Sequence, residues 1–206
     1  MNDTPSGSEQ TRTRLLEAAR EVFAAHGFQG ATVREICRRA EANVAAVNYH
    51  FGSKDELLAE ALNFNALKAL QAAHPGATPE VRLRLFIRDF MLLLLDEKSA
   101  SRQCRIMARE LADPTPVLDQ IVKQGIAPLH DFLGGLVGEI VGEQVSDAVR
   151  LRCVFSILGQ CLFYYHAEPV LQRLHPELRY DAAEIEAIAT HIADFSLTAL
   201  LAKKSG

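Results

Sequence analysis

The chain has 206 residues and a formal net charge of −4, and hydrophobic residues make up 49% of it. This composition suffices for a sizeable buried core and excludes the strongly basic class of nucleic-acid-binding proteins. The first 60 residues are also acidic, with 7 Lys and Arg against 9 Asp and Glu. Any DNA-binding function must therefore come from the geometry of a motif and not from bulk charge.

The cysteines and the apolar runs indicate the compartment. Cys37, Cys104, Cys153 and Cys161 form no Cys-x-x-Cys pair, and each lies in an apolar stretch. This pattern favours buried, reduced thiols over a metal site or a redox sensor. Residues 1–14 lack the apolar segment of a signal peptide, and the longest apolar run, Phe90–Leu95, is too short to span a membrane. We expect a cytoplasmic protein with no membrane partner, no metal and no cofactor.

Apolar residues recur with a helical period along the chain, which predicts an all-α fold of about nine helices. The N-terminal part is predicted to contain a disordered tail over residues 1–9, a first helix from Gln10 to His26 capped by Gly27, a second after Thr32, a third from Asn43 to Phe51, and a fourth from Ser53 to Ala73. Thr32 with Glu35, and Ser53 with Glu56, have the spacing of capping boxes, and Asn43 is a suitable N-cap for the third helix.

Breaks that contain proline separate the later helices. We predict a fifth helix that begins at Pro79 after the Thr78 cap, a sixth over Ala100–Ala112, a seventh that ends near Gly142 and is kinked by Pro128, an eighth over Ser146–His166, an irregular stretch with Pro169 and Pro176, and a ninth from Asp181 to Ala202.

A long helix followed by two short helices, joined at Glu41-Ala42, is typical of a helix-turn-helix unit, which we assign to residues 10–53. Such a unit presents its second short helix to the major groove, which is wide enough to admit it. Residues 54–206 are then assigned to a helical regulatory and dimerisation domain.

The third helix supplies most of the predicted DNA contacts. Val47 and Phe51, four residues apart, are spaced to face the core, which leaves small, polar and aromatic side chains for the groove. Outside this helix, a threonine hydroxyl suits a phosphate, and an arginine or lysine suits a phosphate or a guanine edge. The predicted DNA-binding residues are Thr32, Arg34, Asn43, Val44, Ala45, Ala46, Asn48, Tyr49, His50 and Lys54. The alternative is a plain helical bundle with polar surface residues.

Residues Thr13 to Leu62 resemble the tetracycline-repressor (TetR) family, chiefly through Gly-Phe, Thr-Val-Arg-Glu-Ile and Asn-Tyr-His-Phe-Gly-Ser-Lys. The resemblance implies a homodimeric transcription regulator under small-molecule control. It also implies that the residues matching Thr32, Arg34, Val44, Ala46, Asn48, Tyr49, His50 and Lys54 contact DNA. Many members differ at Ala46 and Asn48, so their base preference does not transfer. Many also have glycine where this chain has Glu41, and we expect a turn here that needs no left-handed residue.

The second half resembles the C-terminal domain of regulators of the CecR type. The similarity lies in the stretches RIMARE (105–110), DPT (113–115), IAPL (126–129) and ILGQCLFYYHA (157–167).

A homodimer also follows from symmetry, because two recognition helices one DNA turn apart require a two-fold partner. We expect the interface on the two late helices, through a stripe on the last one (Ile185, Ile188, Ala189, Ile192, then Leu197, Leu200, Leu201) and one on the helix before it (Val149, Cys153, Leu158, Leu162, Tyr165). The alternative is that both stripes pack inside the monomer core.

A small-molecule effector would bind between the fourth and eighth helices, in a mostly apolar pocket with a few polar groups. The candidate ligand-binding residues are Phe64, Phe90, Arg105, Met107, Arg109, His130, Phe132, Gln160, Phe163 and Tyr164, with Leu67, Phe86 and Leu136 as further walls. Arg109 and Glu110 are either an anchor in this pocket or an intramolecular salt bridge that holds the sixth helix.

Three functional classes remain open at this point. A ligand-released repressor that binds a palindromic double-stranded operator is the first, and an activator belongs to the same class. A constitutive DNA-binding dimer without an effector is the second. An enzyme is the third, and it is disfavoured because the sequence has no paired carboxylates with context, no nucleophile elbow and no phosphate loop.

Overall fold

The computed structural model describes residues 7–62, 64–74, 76–95 and 100–204. In these ranges the chain forms twelve α-helices and no strand: α1 Gly7–Gly30, α2 Val33–Arg39, α3 Val44–Phe51, α4 Lys54–Ala61, α5 Asn65–Ala72, α6 Pro79–Leu95, α7 Ala100–Ala112, α8 Leu118–Ile121, α9 Ala127–Val141, α10 Asp147–His166, α11 Glu168–Leu174 and α12 Ala182–Lys204. A π-helical turn, Val122–Ile126, joins α8 to α9. The all-α fold is therefore confirmed.

The helices are divided between two compact units. The head unit contains the described residues up to Phe64 together with Arg102–Gln124, and the body unit contains Asn65–Ser101 and the described residues from Gly125 onward. Helix α4 and most of α7 thus belong to the first compact unit, although the sequence analysis assigns residues 54–206 to the second domain.

The head unit is built on α1, which packs against α2, α3 and α4. Its core side chains are apolar and fully buried, and they include Leu15, Val22, Phe23, Ile36, Val47, Leu57 and Leu58. Each such burial stabilises the fold by about 1.5–3 kcal/mol. Because α2 and α3 are too short to be stable alone, this shared core is what keeps them helical.

The three short helices of the head begin at the predicted caps. The Thr32 hydroxyl accepts from the Glu35 backbone N–H at 3.1 Å, the Asn43 side-chain oxygen from Ala45 at 3.0 Å, and the Ser53 hydroxyl from the Glu56 N–H at 3.1 Å. A cap of this kind contributes about 1 kcal/mol. The Glu35 carboxylate, expected to complete a capping box, instead accepts from Arg39 at 2.9 Å.

Helix α1 starts earlier and ends later than predicted. Residues 7–9 of the predicted tail are helical, and Thr11 donates its hydroxyl to the Gly7 carbonyl at 2.9 Å; the remainder of the tail, residues 1–6, lies outside the described residues. Gly27 interrupts the helix with φ 67°, as its predicted role as a cap requires, and three further residues follow it in helical form. Only glycine adopts such a backbone without strain.

The prediction of one continuous fourth helix is wrong, because the helix is interrupted between α4 and α5. Leu62 leaves the helical region with ψ 81°, and both Leu62 and Phe64 are buried. Two residues correspond to about 200° around a helix, so one of the two side chains would face outward if α4 continued. The break allows both to be buried.

The body unit centres on α12, which packs against α6, α9 and α10. The stripe of α12 that was predicted to face a second subunit is buried in this core, at Ile185, Ile188, Ala189, Ile192, Leu197 and Leu200. The prediction that these residues form the dimer interface is wrong, because α6 and α9 already cover that side of α12. They pack inside the monomer, as in the alternative. Leu201, 41% exposed, is the exception.

Prolines shape the later half of the chain. The predicted kink of the long seventh helix is present as the π-helical turn Val122–Ile126 before Pro128, which lies at the start of α9. A residue without an N–H cannot continue an α-helical ladder, and a wider turn accommodates the loss. The stretch predicted as irregular contains the short helix α11, because Pro169 occupies the first turn, where its ring is tolerated.

Helix α12 is also long and apolar enough to cross a membrane by length and composition alone. Its apolar residues fill the core of the body unit, as in the central helix of a globular domain.

Candidate DNA interface and effector cavity

Helix α3 is anchored by one face and exposed on the other. Val47 and Phe51 are buried, as predicted from their spacing. Among the predicted contact residues, Asn43, Val44, Ala45, Asn48 and Tyr49 are exposed, and Ala46 and His50 are half-buried. Tyr49 is 80% exposed, which is unusual for so large an aromatic side chain. The outward face of α3 thus offers amide, phenol and imidazole groups beside small side chains, the combination that reads base edges.

The start of α2 adds a hydroxyl and a guanidinium to this unit. Thr32 is exposed at the N-cap, and Arg34 is exposed in the first helical turn. In the described part of the chain, the Arg34 side chain has no hydrogen-bond or ion-pair partner. It is therefore available to a base edge or a phosphate.

The Lys54 side chain is bound to Phe28 inside the head unit. Its ammonium donates to the Phe28 carbonyl and lies 4.2 Å from the centroid of the Phe28 ring. Burial lowers the pKa of this lysine. The Lys54 side chain thus links the start of α4 to the end of α1. Because one of its N–H groups is bound to the Phe28 carbonyl, only the remaining N–H groups of the ammonium can contact a phosphate.

The turn between α2 and α3 contains a strained residue. Glu41 has φ 51°, in the left-handed region, so the expectation of a turn without a left-handed residue is wrong. The Ala42 N–H bonds to the Cys37 carbonyl at 2.9 Å, and the Ala40 N–H bonds to the Ile36 carbonyl at 2.9 Å. These two bonds close the end of α2 on either side of Glu41. They hold Glu41 in a left-handed conformation that favours glycine.

The cations in residues 7–62 of the head unit fall into two groups. Five of those in residues 7–62 have partners inside the unit: Arg12 with Glu60, Arg14 with Glu41, Arg20 with Glu17, Arg39 with Glu21 and Glu35, and Lys54 with Phe28. Two do not among the described residues, namely Arg34 and Arg38, and both are exposed on α2. Arg38 is absent from the predicted DNA-binding residues, although it follows Arg34 by four residues and so lies on the same face of α2.

The predicted effector residues lie in both units. Phe64 is buried in the head unit, which also contains Arg105, Met107 and Arg109. In the body unit Phe90 is buried, the Phe132 ring lies 5.8 Å from Phe86, Gln160 donates to Ser196 at 3.3 Å, the Tyr164 carbonyl accepts from Tyr180 at 3.2 Å, and Phe163 is 57% exposed.

The Glu110 side chain is bound to the turn that follows α7 and not to Arg109. It is 2% exposed, and its carboxylate accepts from the Thr115 N–H at 3.2 Å and from the Thr115 hydroxyl at 2.7 Å. It therefore holds the turn after α7, and the salt bridge with Arg109 is not formed. The Arg109 side chain lies instead 3.6 Å from the position that a Cβ on Gly27 would occupy.

Each unit contains a cavity. In the head, about 180 Å³ lies between the ends of α1 and α7, lined by His26, Gly27, Phe28, Gln29, Arg109, Glu110, Ala112, Asp113 and Thr115. In the body, about 540 Å³ lies between α9 and α10, lined by His130, Gly134, Gly135, Asp147, Ala148, Arg150, Leu151 and Val154. Only the second has the size of a typical small-molecule site, and it includes His130 from the predicted set.

The late helices expose large aromatic residues that the predicted stripes do not include; in the predicted stripe of α10, Cys153 is buried and Val149, Leu158, Leu162 and Tyr165 are half-buried. Phe155 and Phe163 on α10 are each 57% exposed, and Phe195 on α12 is 63% exposed. Large aromatic residues on the outer faces of two packed helices are typical of an interface with another chain.

Comparisons with known proteins agree with this architecture. The family described as bacterial regulatory proteins, tetR family, matches residues 15–61, and the C-terminal domain of the HTH-type transcriptional dual regulator CecR matches residues 79–200. The chain is 29% identical over 180 residues to CecR of Shigella flexneri, covering 80% of each chain.

Solved structures share the fold. AibR, crystallised with isovaleryl coenzyme A and operator DNA, is 22% identical with a TM-score of 0.66, over 90% of this chain and 97% of AibR. FadR from Bacillus subtilis, crystallised with stearoyl-CoA, is 15% identical with a TM-score of 0.68, over 91% of this chain and 98% of FadR. The prediction that the chain is no enzyme is confirmed by its relatives, which are transcription regulators. The chain belongs to the TetR family of bacterial transcription regulators, with a C-terminal domain of the CecR type.

Proposed function

We propose that this protein is a cytoplasmic repressor that binds a palindromic operator as a homodimer and leaves it when a small amphipathic molecule binds the body unit. The observation that carries the proposal is the outward face of α3, where Asn48 and Tyr49 are exposed and the buried pair Val47 and Phe51 fixes their direction. A helix so anchored presents its polar groups to the major groove without a change in fold.

The DNA-binding part is tested by selecting an operator from a library of random duplexes with the wild-type protein. We expect a two-fold symmetric site with half-sites about 34–36 Å apart. Tyr49→Ala and Asn48→Ala are then expected to weaken operator binding about 10-fold or more, since a good base contact contributes about 1–3 kcal/mol. Glu186→Ala, exposed on α12, is the control and should bind as the wild type does. Failure to select any site would refute the proposed function.

We assign the dimer interface to the outer faces of α10 and α12, around Phe155, Phe163 and Phe195. Phe195→Glu is expected to shift the protein from dimer to monomer in analytical ultracentrifugation, because a carboxylate would be buried without a partner. Val44→Glu makes the same kind of change on an exposed apolar residue of the head and should leave the dimer intact. A Phe195→Glu protein that remains dimeric would place the interface elsewhere.

The effector is proposed to bind the cavity between α9 and α10. AibR and FadR, which share the fold, were crystallised with acyl-CoA compounds. In the cavity, apolar Leu151 and Val154 lie beside His130 and Arg150, and an anionic group of the effector would replace Asp147, which lies 3.5 Å from Arg150. Isovaleryl-CoA and stearoyl-CoA are the probes, and the readouts are thermal stabilisation of the protein and release of the selected operator.

A glycine substitution separates effector binding from DNA binding. A Cβ at Gly135 would meet nothing within 4 Å, so Gly135→Leu should fill the cavity while leaving the fold intact. We expect this variant to bind the operator and to lose the response to the effector. Gly76→Leu is the control, because Gly76 is equally open and lies in the turn before α6, outside both the cavity lining and the proposed interface.

If no ligand releases the operator, a constitutive DNA-binding dimer is the better description. A promoter assay then distinguishes a repressor from an activator.

A further inference from the structure

The charge distribution on α2 points to a DNA contact that the motif does not show. Helix α2 buries Ile36 and Cys37, and the remaining charged side chains lie on two sides of it. On one side, Arg39 contacts Glu35 at 2.9 Å and Glu21 of α1 at 3.7 Å. On the other side lie Arg34 and Arg38, which are four residues apart and therefore on one face, about 6 Å apart along the axis.

Within residues 7–62, these two arginines differ from the other cations in what a phosphate contact would cost. Arg12, Arg14, Arg20, Arg39 and Lys54 must each exchange an internal partner for a phosphate. Arg34 and Arg38 are exposed and, in the described residues, have no partner to exchange. Such side chains can neutralise a phosphate, and so release its counterions, without breaking an internal contact.

We propose that Arg38 contacts a DNA phosphate next to the one that Arg34 reaches, so that α2 grips the backbone with two guanidinium groups per subunit. The proposal rests on the proposed function, since it requires the head unit to dock on duplex DNA. Arg38 fixes the position of the head on the backbone and reads no base, because a phosphate contact carries no sequence information. Its loss should therefore weaken operator and unrelated DNA by the same factor.

The test measures operator affinity of full-length Arg38→Ala between 50 and 200 mM salt, with the operator selected by the wild type. Two phosphate contacts are lost per dimer, so the slope of log K against log salt should fall by about 1.8. Across this fourfold range the loss of affinity with salt becomes about 12-fold smaller than for the wild type. Arg38→Lys keeps the charge and should restore most of the slope.

Arg39→Ala is the matched control. It removes the same charge from the neighbouring position, so long-range electrostatic effects are equal, but the Arg39 guanidinium is held by Glu21 and Glu35. We expect its salt slope to stay close to the wild-type value. Equal slopes for Arg38→Ala and Arg39→Ala would overturn the proposal while leaving the proposed function intact. Failure of the wild type to select an operator would instead remove the function on which the proposal rests.

Discussion

The strained turn between α2 and α3 makes a prediction with a definite sign: Glu41→Gly should stabilise the protein relative to Glu41→Ala. Glu41 has φ 51° and lies 3.9 Å from Arg14 in an exposed ion pair. Both substitutions remove the carboxylate, so the loss of that pair cancels in the comparison. What remains is the backbone, where a residue with a Cβ costs about 1–2 kcal/mol in a left-handed conformation.

Glycine also has more freedom in the unfolded chain, which offsets about 0.4–1 kcal/mol of this gain. The net difference between the two variants is about 0.5–1 kcal/mol in the free energy of unfolding. For a chain of this size it corresponds to about 1–4 °C in melting temperature. Differential scanning calorimetry of the two variants, with urea unfolding as a second measurement, resolves a difference of this size.

The two variants also distinguish the contribution of the backbone conformation from that of the ion pair. If Glu41→Ala is as stable as Glu41→Gly, the residue is not left-handed in the folded protein, and the shape assigned to the turn is wrong. If both variants are less stable than the wild type but Glu41→Gly is still the more stable of the two, the ion pair with Arg14 contributes more than an exposed pair normally does. Operator binding should survive both substitutions, because the turn orients α3 through its backbone.

Three further predictions concern groups whose roles the structure assigns. Lys54→Met should lower the free energy of unfolding by about 1–2 kcal/mol in chemical denaturation, because the Phe28 carbonyl loses its charged donor and the ring loses its cation; an unchanged stability would leave Lys54 free for DNA. Glu110→Ala should cost about 1–3 kcal/mol, since the Thr115 N–H loses its acceptor, and a thermal melt as stable as the wild type would contradict this role. Burial raises the pKa of Cys161 to about 12, so the thiolate fraction at pH 8 is about 10⁻⁴ and Ellman's reagent should label this cysteine only on unfolding. Because the unfolded thiol ionises first, this cysteine makes the fold less stable as pH rises from about 8.5 towards 12, and Cys161→Ala should flatten that alkaline slope.

The head was the most predictable part of the chain because its signals are local. The N-caps at Thr32, Asn43 and Ser53 each depend on a side chain and a backbone group two or three residues away, and all three form as predicted. The direction of α3 followed from two apolar residues at a spacing of four. Such features depend only on residues that are close together in the sequence.

The errors arose where packing between distant segments decides the outcome. Periodicity marked Ile185, Ile188 and Ile192 as an apolar stripe, but it does not say whether the stripe faces its own core or a partner. The break after α4 likewise depends on burying both Leu62 and Phe64, which no local pattern requires. Lys54 has the position of a phosphate ligand in the sequence, and only the fold shows that Phe28 lies beneath it.

Net charge was the least informative property of the head, and the structure explains why. A sum over 7 cations and 9 anions in the first 60 residues treats every charge as equal. Within residues 7–62 of the folded protein, five of the seven cations have internal partners, whereas Arg34 and Arg38 remain accessible. The affinity of a helix-turn-helix unit for DNA depends on the cations that a phosphate can reach without displacing a partner. An acidic head is thus compatible with DNA binding. The condition is that its anions pair with other cations and leave those that contact DNA accessible.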